Sequence, residues 1–164
     1  LFTSEHFYDA QYIGTKVKTP YELVASALRN TQADFGQSRR LLETLRTMGN
    51  LPYNEPAPTG FPAASEDWVN TGAMLARMNF GLTFAAGFDG VAVDYAGLLG
   101  ESGAGTVESA RLPRLLDELL PGANTEKLEA GIRADLESRA ADSERAKTSR
   151  ALGLIIGSPE FQKR

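Results

Sequence analysis

The chain contains no cysteine, and among its 164 residues it has one histidine and one tryptophan. Without cysteine there is no disulfide framework, no thiol nucleophile and no zinc–thiolate site. The sequence therefore does not indicate whether the protein resides in an oxidising or a reducing compartment. Catalytic triads and zinc hydrolase sites normally need a histidine, and His6 is the only one available. Because only Glu5 and Asp9 flank it with carboxylates, we interpret His6 as a surface or packing residue and not as a metal ligand.

Charge and hydropathy exclude two further classes. The formal charge is −4 and no Lys/Arg cluster stands out, which argues against a nucleic-acid partner. No apolar run approaches the roughly 18 residues of a membrane span, so none is expected. The glycine-rich run Gly100–Thr106 lacks the lysine of a phosphate-binding loop, and we interpret it as a connector. We therefore expect no cofactor, no metal site and no assignable catalytic residue, although 21 acidic residues leave paired-carboxylate chemistry open.

Proline is concentrated in one place, since the stretch 51–64 holds four of the eight prolines. Each proline fixes φ, removes a backbone donor and biases the preceding residue toward extended geometry, which excludes a helix or a central strand. We predict an ordered loop here, because a stiff segment loses little entropy on folding. Ser65 is predicted to cap a long central helix over 66–86, with Trp68 packed back on the loop. The buried face of this helix is predicted from its helical spacing to carry Trp68, Gly72, Leu75, Ala76 and Leu82.

The rest of the chain reads as further helices. Thr19-Pro20-Tyr21-Glu22 combines an N-cap, proline at the first helical position and a capping box. Apolar residues at helical spacing predict helices over 20–32, 37–48, 112–120 and 141–156. A further helix, capped by Asn124 or Thr125, is predicted to carry Leu128, Ile132 and Leu136 on one side. The first two should form an antiparallel hairpin. A glycine-rich linker over 87–105 could pair briefly as a strand near Val91.

These patterns predict an all-α fold: an irregular bundle of about six helices with a long proline-rich loop. Residues 1–164 are then either a single helical domain or the C-terminal portion of a larger one. Two observations favour a fragment. The chain begins at Leu1 and not at Met, and Leu1–Phe7 parallels Ile155–Phe161, as if both were helix endings. In each ending the serine, Ser4 or Ser158, is expected to cap the next turn, and the phenylalanine, Phe7 or Phe161, to fold back onto the core. We expect an apolar face that an upstream segment covers.

Arg77 is the most informative polar residue, because it lies in the most apolar part of the central helix. An arginine there must be paired or must extend its guanidinium out of the apolar region, since an unpaired buried charge is very costly. We expect Arg77 to bind carbonyls of the proline-rich loop or Glu55, and anion binding is the alternative. Asn70 and Asn79 are expected to point inward beside it. The candidate structural or binding residues are Tyr53, Glu55, Trp68, Asn70, Arg77 and Asn79.

Several spaced motifs resemble the C-terminal part of the bacterial DUF1800 family. They are Lys16-Val-Lys-Thr-Pro-Tyr-Glu-Leu-Val24, Pro56-Ala-Pro-Thr-Gly-Phe-Pro62, Trp68-Val-Asn-Thr71, Leu75-Ala-Arg-Met-Asn-Phe80 and Gly157-Ser-Pro-Glu-Phe161. Relatives tend to have Gly-Trp-Pro where this chain has Gly60-Phe61-Pro62, so a role for an indole N–H at Phe61 is not carried over. The family's function is unknown, and the resemblance supplies no catalytic residues.

The resemblance implies a longer parent protein whose N-terminal helical part is missing here. It also implies export, to the periplasm or the cell surface, and a second exported protein encoded by a neighbouring gene as a possible partner. Two functions follow as hypotheses. The chain is either a helical interaction or scaffold module of an exported bacterial protein, or part of an enzyme whose active site is shared with the missing N-terminal region.

Overall fold

The computed structural model describes residue 9 and residues 14–62, 64–88, 90–100 and 104–163. Three sequence features fall partly or wholly outside these residues. They are His6, the Leu1–Phe7 helix ending and the middle of the glycine-rich run Gly100–Thr106.

The first two helices begin where the capping residues place them. α1 spans Pro20–Asn30, and Thr19 and Glu22 form the predicted capping box, with the Glu22 amide donating to Thr19 Oγ1 and the Thr19 amide to Glu22 Oε2. α2 spans Arg39–Thr47 and is capped by the Ser38 hydroxyl. Gly49 follows it at φ +76°, in the left-handed region that ends helices at glycine.

The central segment departs from the predicted single helix over 66–86. Ser65–Trp68 form one 3₁₀ turn, and α3 begins separately at Thr71 and continues to Ala86. The N-cap of α3 is Asn70, whose Oδ1 accepts from the Ala73 amide at 2.9 Å. Ser65 caps nothing, because its hydroxyl accepts instead from the Val17 amide at 3.1 Å. A contact 48 residues away in the chain therefore overrides the local capping pattern.

The C-terminal half is helical, and it contains elements beyond the predicted helices. The helices are α4 (Tyr95–Leu99), α5 (Leu112–Leu119), α6 (Glu126–Glu137), α7 (Glu144–Gly157) and α8 (Pro159–Gln162). α4 lies within the stretch 87–105 that was predicted as a glycine-rich linker, and α8 follows the last predicted helix. A π-helical turn at Val107–Arg111 precedes α5. The described residues thus contain eight α-helices where about six were expected, and the predicted all-α class is confirmed.

One small sheet interrupts the helices. β1 (Asp34–Phe35) pairs antiparallel with β2 (Val91–Ala92). The pairing ties the α1–α2 connection to the segment after α3. The brief strand predicted near Val91 is present but two residues long, and its partner strand was not predicted.

The core forms where α3 crosses α7 at close range. A Cβ placed on Gly81 would lie 2.6 Å from the Gly153 carbonyl oxygen, and one on Gly153 would lie 2.8 Å from Leu82 Cα. Only glycine allows the two backbones this approach. Around the crossing lie fully buried side chains of the C-terminal helices: Leu112, Leu115, Ile132, Leu136, Leu152, Ile155 and Ile156.

The segment before α1 is held against the end of α8. Val17 and Lys163 form an antiparallel bridge, and the Lys18 amide donates to the Gln162 carbonyl at 2.8 Å. Lys18 Nζ donates to the Phe161 carbonyl at 2.6 Å and lies 4.2 Å from the centre of the Phe161 ring. The Ser158 hydroxyl caps α8, and Phe161 folds back into the core as the sequence predicted.

Candidate functional site

α3 carries large apolar side chains on both of its sides, and only one side is buried. Phe80 and Phe84 face the core at helical spacing, with Arg77 one turn before them. On the opposite side, Leu75 is 60% exposed and Met78 is 49% exposed. A helix that is apolar all round is normally buried all round. The exposed side of α3 is therefore a candidate for a contact surface.

The sequence-based assignment of the buried side of α3 is wrong. It placed Gly72, Leu75 and Leu82 on the core face, whereas Gly72 and Leu75 are exposed and Leu82 is half-buried. The close contact of Gly81 with Gly153 and Gly157 sets the rotation of the helix. That rotation turns Arg77 inward and Leu75 outward.

Arg77 has no exposed surface, and it joins α3 to both ends of the described chain. Its Nη2 donates to the Lys18 carbonyl at 2.9 Å, and its Nη1 donates to Gln162 Oε1 at 3.4 Å. Gln162 in turn donates from Nε2 to the Gly157 carbonyl at 2.8 Å. We call Arg77, Lys18 and Gln162 the Arg77 junction.

The prediction that Arg77 binds the proline-rich loop or Glu55 is thus wrong. The prediction that its guanidinium binds a main-chain carbonyl is correct. Within the described residues Arg77 forms no ion pair, and its buried Nε has no hydrogen-bond partner. Burial lowers the pKa of the guanidinium from its usual value, because desolvation disfavours the charged form. The full burial of Arg77 leaves it no surface on which to receive a ligand from solvent.

Trp68 packs on the proline-rich loop. Its Nε1 donates to the Pro62 carbonyl at 3.1 Å, and its ring centre lies 6.4 Å from that of Phe61. Glu55 accepts from the Ala57 amide at 3.1 Å within the same loop. Tyr53 is fully exposed and has φ +61°, a conformation that non-glycine residues rarely adopt.

The two asparagines of the central segment are exposed, contrary to the prediction that they point inward. Asn70 acts as the helix cap, and Asn79 lies on the outward side of α3 next to Met78. The six candidate residues therefore belong to different local structures: the loop, the cap, the buried junction and the outward side of the helix.

Two grooves flank the outward side of α3. A groove of about 400 Å³ lies between α2 and α3, and Met48, Leu75 and Phe80 contribute to its lining. A more apolar groove of about 540 Å³ lies between α3, α6 and α7, and its lining includes Met74, Met78 and Leu82. All three methionines of the chain line one groove or the other. We call the exposed residues Leu75 and Met78, together with both grooves, the α3 face.

Other site types find no support in the described part of the chain. No group of three or more His, Cys, Asp or Glu side chains within it is placed to hold a metal ion. None of its helices is both long and apolar enough to cross a membrane.

Comparison with known proteins adds one finding. A family model described as "Protein of unknown function (DUF1800)" matches residues 1–163. The chain belongs to the DUF1800 family. No curated protein and no solved structure matches this DUF1800 chain.

Sequence reasoning missed the α3 face of this DUF1800 chain, although one signal pointed to it. Between Asp67 and Asp89 the only charged residue is Arg77. Once Arg77 is buried, the outward side of α3 has no charge over its whole length, which is unusual for an exposed helix surface. A second signal, Gly153 and Gly157 spaced one helical turn apart, could have identified the helix surface that α3 approaches.

Proposed function

We propose that this DUF1800 chain is a helical interaction module of an exported bacterial protein, and that the α3 face is its docking surface. The N-terminal part of the same protein is its proposed partner. The observation that carries the proposal is the exposure of Leu75 and Met78 on an uncharged helix side between two apolar grooves. Adjoining apolar residues exposed in this way are typical of sites that another surface covers.

The composition of the α3 face supports a protein partner. Methionine is flexible and polarizable, so it adapts to the side chains of a facing helix, and Met-rich surfaces are common where proteins bind helices. Leu75 and Met78 lie three residues apart on one side of α3, which is the spacing that a second helix packs against.

The enzyme hypothesis needs an accessible polar cluster, and the candidate residues do not supply one. Arg77 is fully buried, Asn70 caps α3, and Glu55 is engaged within the proline-rich loop. These positions support the interaction module as the better proposal.

The test measures whether the α3 face is covered in the complete protein. The chain has no native cysteine, so Met78→Cys introduces a single reactive thiol on the α3 face. Ala130→Cys is the matched control, because Ala130 is exposed on α6 and does not contribute to either groove. Maleimide labelling is followed by mass spectrometry of the labelled peptide in the isolated 164-residue chain, in the purified complete protein and in cells of its bacterium.

We expect both thiols to react in the isolated chain, and only the control thiol to react rapidly in the purified complete protein. A Met78→Cys thiol that is protected in cells but reactive in the purified complete protein would identify a separate partner, such as the exported protein of the neighbouring gene. Equal labelling of both positions in all three samples would overturn the proposed function.

A further inference from the structure

We infer that the occupant of the α3 face is an amphipathic helix with acidic residues on both sides of its apolar stripe. The inference rests on the proposed function and deepens it by naming the chemistry of the partner. Its basis is the pairing of the charged residues that line the two grooves: in each groove the carboxylate is engaged by an arginine, and the cation is not paired with a described carboxylate.

The groove between α3, α6 and α7 is lined by one cation and by one carboxylate that is already paired. Lys127 and Asp135 are the charged residues that line it. Asp135 is already neutralised, because Arg150 contacts both of its carboxylate oxygens at 2.9 and 3.0 Å and Arg139 lies 3.7 Å away. Lys127 forms no ion pair with any described residue, so its charge is available to a partner.

The groove between α2 and α3 has the same character. Arg40 and Glu43 are its charged lining residues, and Glu43 already pairs with Arg46. Within the described chain Arg40 has no carboxylate partner, and its guanidinium lies 5.9 Å from the centre of the Phe88 ring. At each side of α3 there is therefore a cation that has no carboxylate partner among the described residues, on a chain whose formal charge is −4.

This arrangement selects the occupant by charge complementarity. Charges at the rim of an apolar contact choose the partner and its orientation more than they add affinity. A helix lying along α3 would present apolar side chains to Leu75 and Met78, and acidic side chains on its two flanks would meet Arg40 and Lys127. A second copy of the chain is a poorer fit, because a two-fold contact through α3 would bring the cations of both copies to the same interface.

The experiment uses two synthetic helical peptides as probes. Both have the same leucine and alanine stripe, one with glutamate and the other with lysine on both flanks. Binding to the chain is measured by fluorescence anisotropy at low and at high salt. We expect the glutamate peptide to bind roughly five- to tenfold more tightly than the lysine peptide, since exposed ion pairs are individually weak. This preference should shrink as salt screens the charges.

Two charge-reversal substitutions test which cations cause the preference for the glutamate peptide. Arg40→Glu and Lys127→Glu should each weaken the preference for the glutamate peptide. Arg39→Glu is the matched control, because Arg39 neighbours Arg40 on α2 and is also exposed but does not line the groove. It should leave the preference unchanged. Met78→Glu should abolish binding of the glutamate peptide, because it places a carboxylate in the apolar centre of the α3 face.

The negative outcomes distinguish failure of the acidic-helix inference from failure of the docking function. If the peptides bind equally and Met78→Glu removes both, the acidic-helix inference is overturned and the docking function stands. If neither peptide binds while Met78→Cys is protected in the complete protein, the inference is again overturned and the docking function stands. If neither binds and Met78→Cys labels freely everywhere, both proposals fail. A chain dimer that Met78→Glu dissociates would make a second copy the occupant and overturn the acidic-helix inference.

Discussion

Arg77 shows how a buried charge can be held without a carboxylate partner. Its side chain reaches one main-chain carbonyl and one side-chain amide oxygen, which belong to residues 59 and 85 positions away in the sequence. The cost of desolvating the guanidinium is offset by these oriented dipoles. The two partners of Arg77 belong to the segment before α1 and to α8. A single residue of α3 therefore connects segments from near the two ends of the described chain.

We predict that Arg77→Ala lowers the free energy of unfolding by about 3 kcal/mol. Hydrogen bonds to charged groups contribute roughly 1.5–3 kcal/mol each, and removal of a buried side chain also leaves a cavity. In a chain of this length the loss corresponds to a fall in thermal midpoint of roughly 6–12 °C. Arg77→Lys should recover part of this loss, since one ammonium cannot reproduce the two-armed contact.

Asn79→Ala is the control for Arg77→Ala, because Asn79 is a polar residue exposed on the same helix. Exposed substitutions of this kind usually change stability by less than about 0.5 kcal/mol. Equal thermal midpoints for Arg77→Ala and Asn79→Ala would show that the Arg77 junction contributes nothing to stability.

At the scale of elements, the crossing of α3 and α7 organises the fold. Gly81 and Gly153 bring the two backbones into contact, and the aromatic side chains of Phe80 and Phe84 then lie 5.5 Å apart between ring centres on the buried side of α3. The same crossing leaves the other side of α3 exposed.

We predict that Gly81→Ala destabilises the chain by roughly 1–3 kcal/mol, because its Cβ would lie 2.6 Å from a backbone oxygen that cannot move alone. Gly131→Ala is the matched control in α6, where a Cβ would meet nothing within 4 Å. That substitution should stabilise by about 0.5–1 kcal/mol, because alanine is the better helix former. Urea unfolding of both variants measures the difference, and a Gly81→Ala chain as stable as Gly131→Ala would refute the close crossing.

Sequence reasoning predicted those elements whose signals are local. The capping box of Thr19 and Glu22 and the cap of Ser158 lie within one turn of the helices they start, and both were predicted. It failed where a contact between residues far apart in the sequence determines the local structure. Ser65 has the chemistry of a helix cap, but its hydroxyl is taken by the Val17 amide, and the cap passes to Asn70.

The candidate site was predicted less well, for a related reason. α3 is apolar on both sides, so periodicity alone cannot tell which side is buried. Arg77 was recognised as a buried arginine bound to carbonyl groups, but its partners come from the two ends of the described chain and no spacing pattern reveals them. The α3 face could be seen only after the helix rotation was known.

At the scale of the whole molecule, ion pairs between helices make the free energy of unfolding depend on pH. Asp135 of α6 forms a two-bond contact with Arg150 of α7 at 2.9 and 3.0 Å. Hydrogen bonding from Arg150 is the largest cause that lowers the pKa of Asp135 below its usual value, and the charges of Arg150 and Arg139 lower it further. The unfolded chain therefore takes up this proton at a higher pH than the folded chain does.

The sign of the effect follows from that difference in pKa. The contribution of Asp135 to stability is complete above the unfolded-state pKa, about 3.9, and is lost as pH falls through the folded-state value. We predict that Asp135→Asn lowers the free energy of unfolding by about 1 kcal/mol at pH 7, a modest value because the Asp135 and Arg150 side chains are 27% and 29% exposed. The difference from the parent chain should narrow toward pH 3.

Urea unfolding at pH 7 and pH 3 measures this effect, with Asp117→Asn as the control. Asp117 is exposed on α5 and forms no ion pair with a described residue. Its substitution should change stability little at either pH. An Asp135→Asn deficit that is equally large at both values would mean that the loss is not electrostatic.

The bridge between Val17 and Lys163 also brings the chain before α1 next to the chain after α8. Because the two segments run antiparallel at this bridge, the main chain enters Val17 and leaves Lys163 on the same side, at neighbouring positions. A short linker could therefore join Lys163 to Lys16, and new termini could be opened at Pro58, in the exposed part of the proline-rich loop. Such a circular permutant of the described chain would keep the α3–α7 crossing and the Arg77 junction, while its termini would lie in the proline-rich loop.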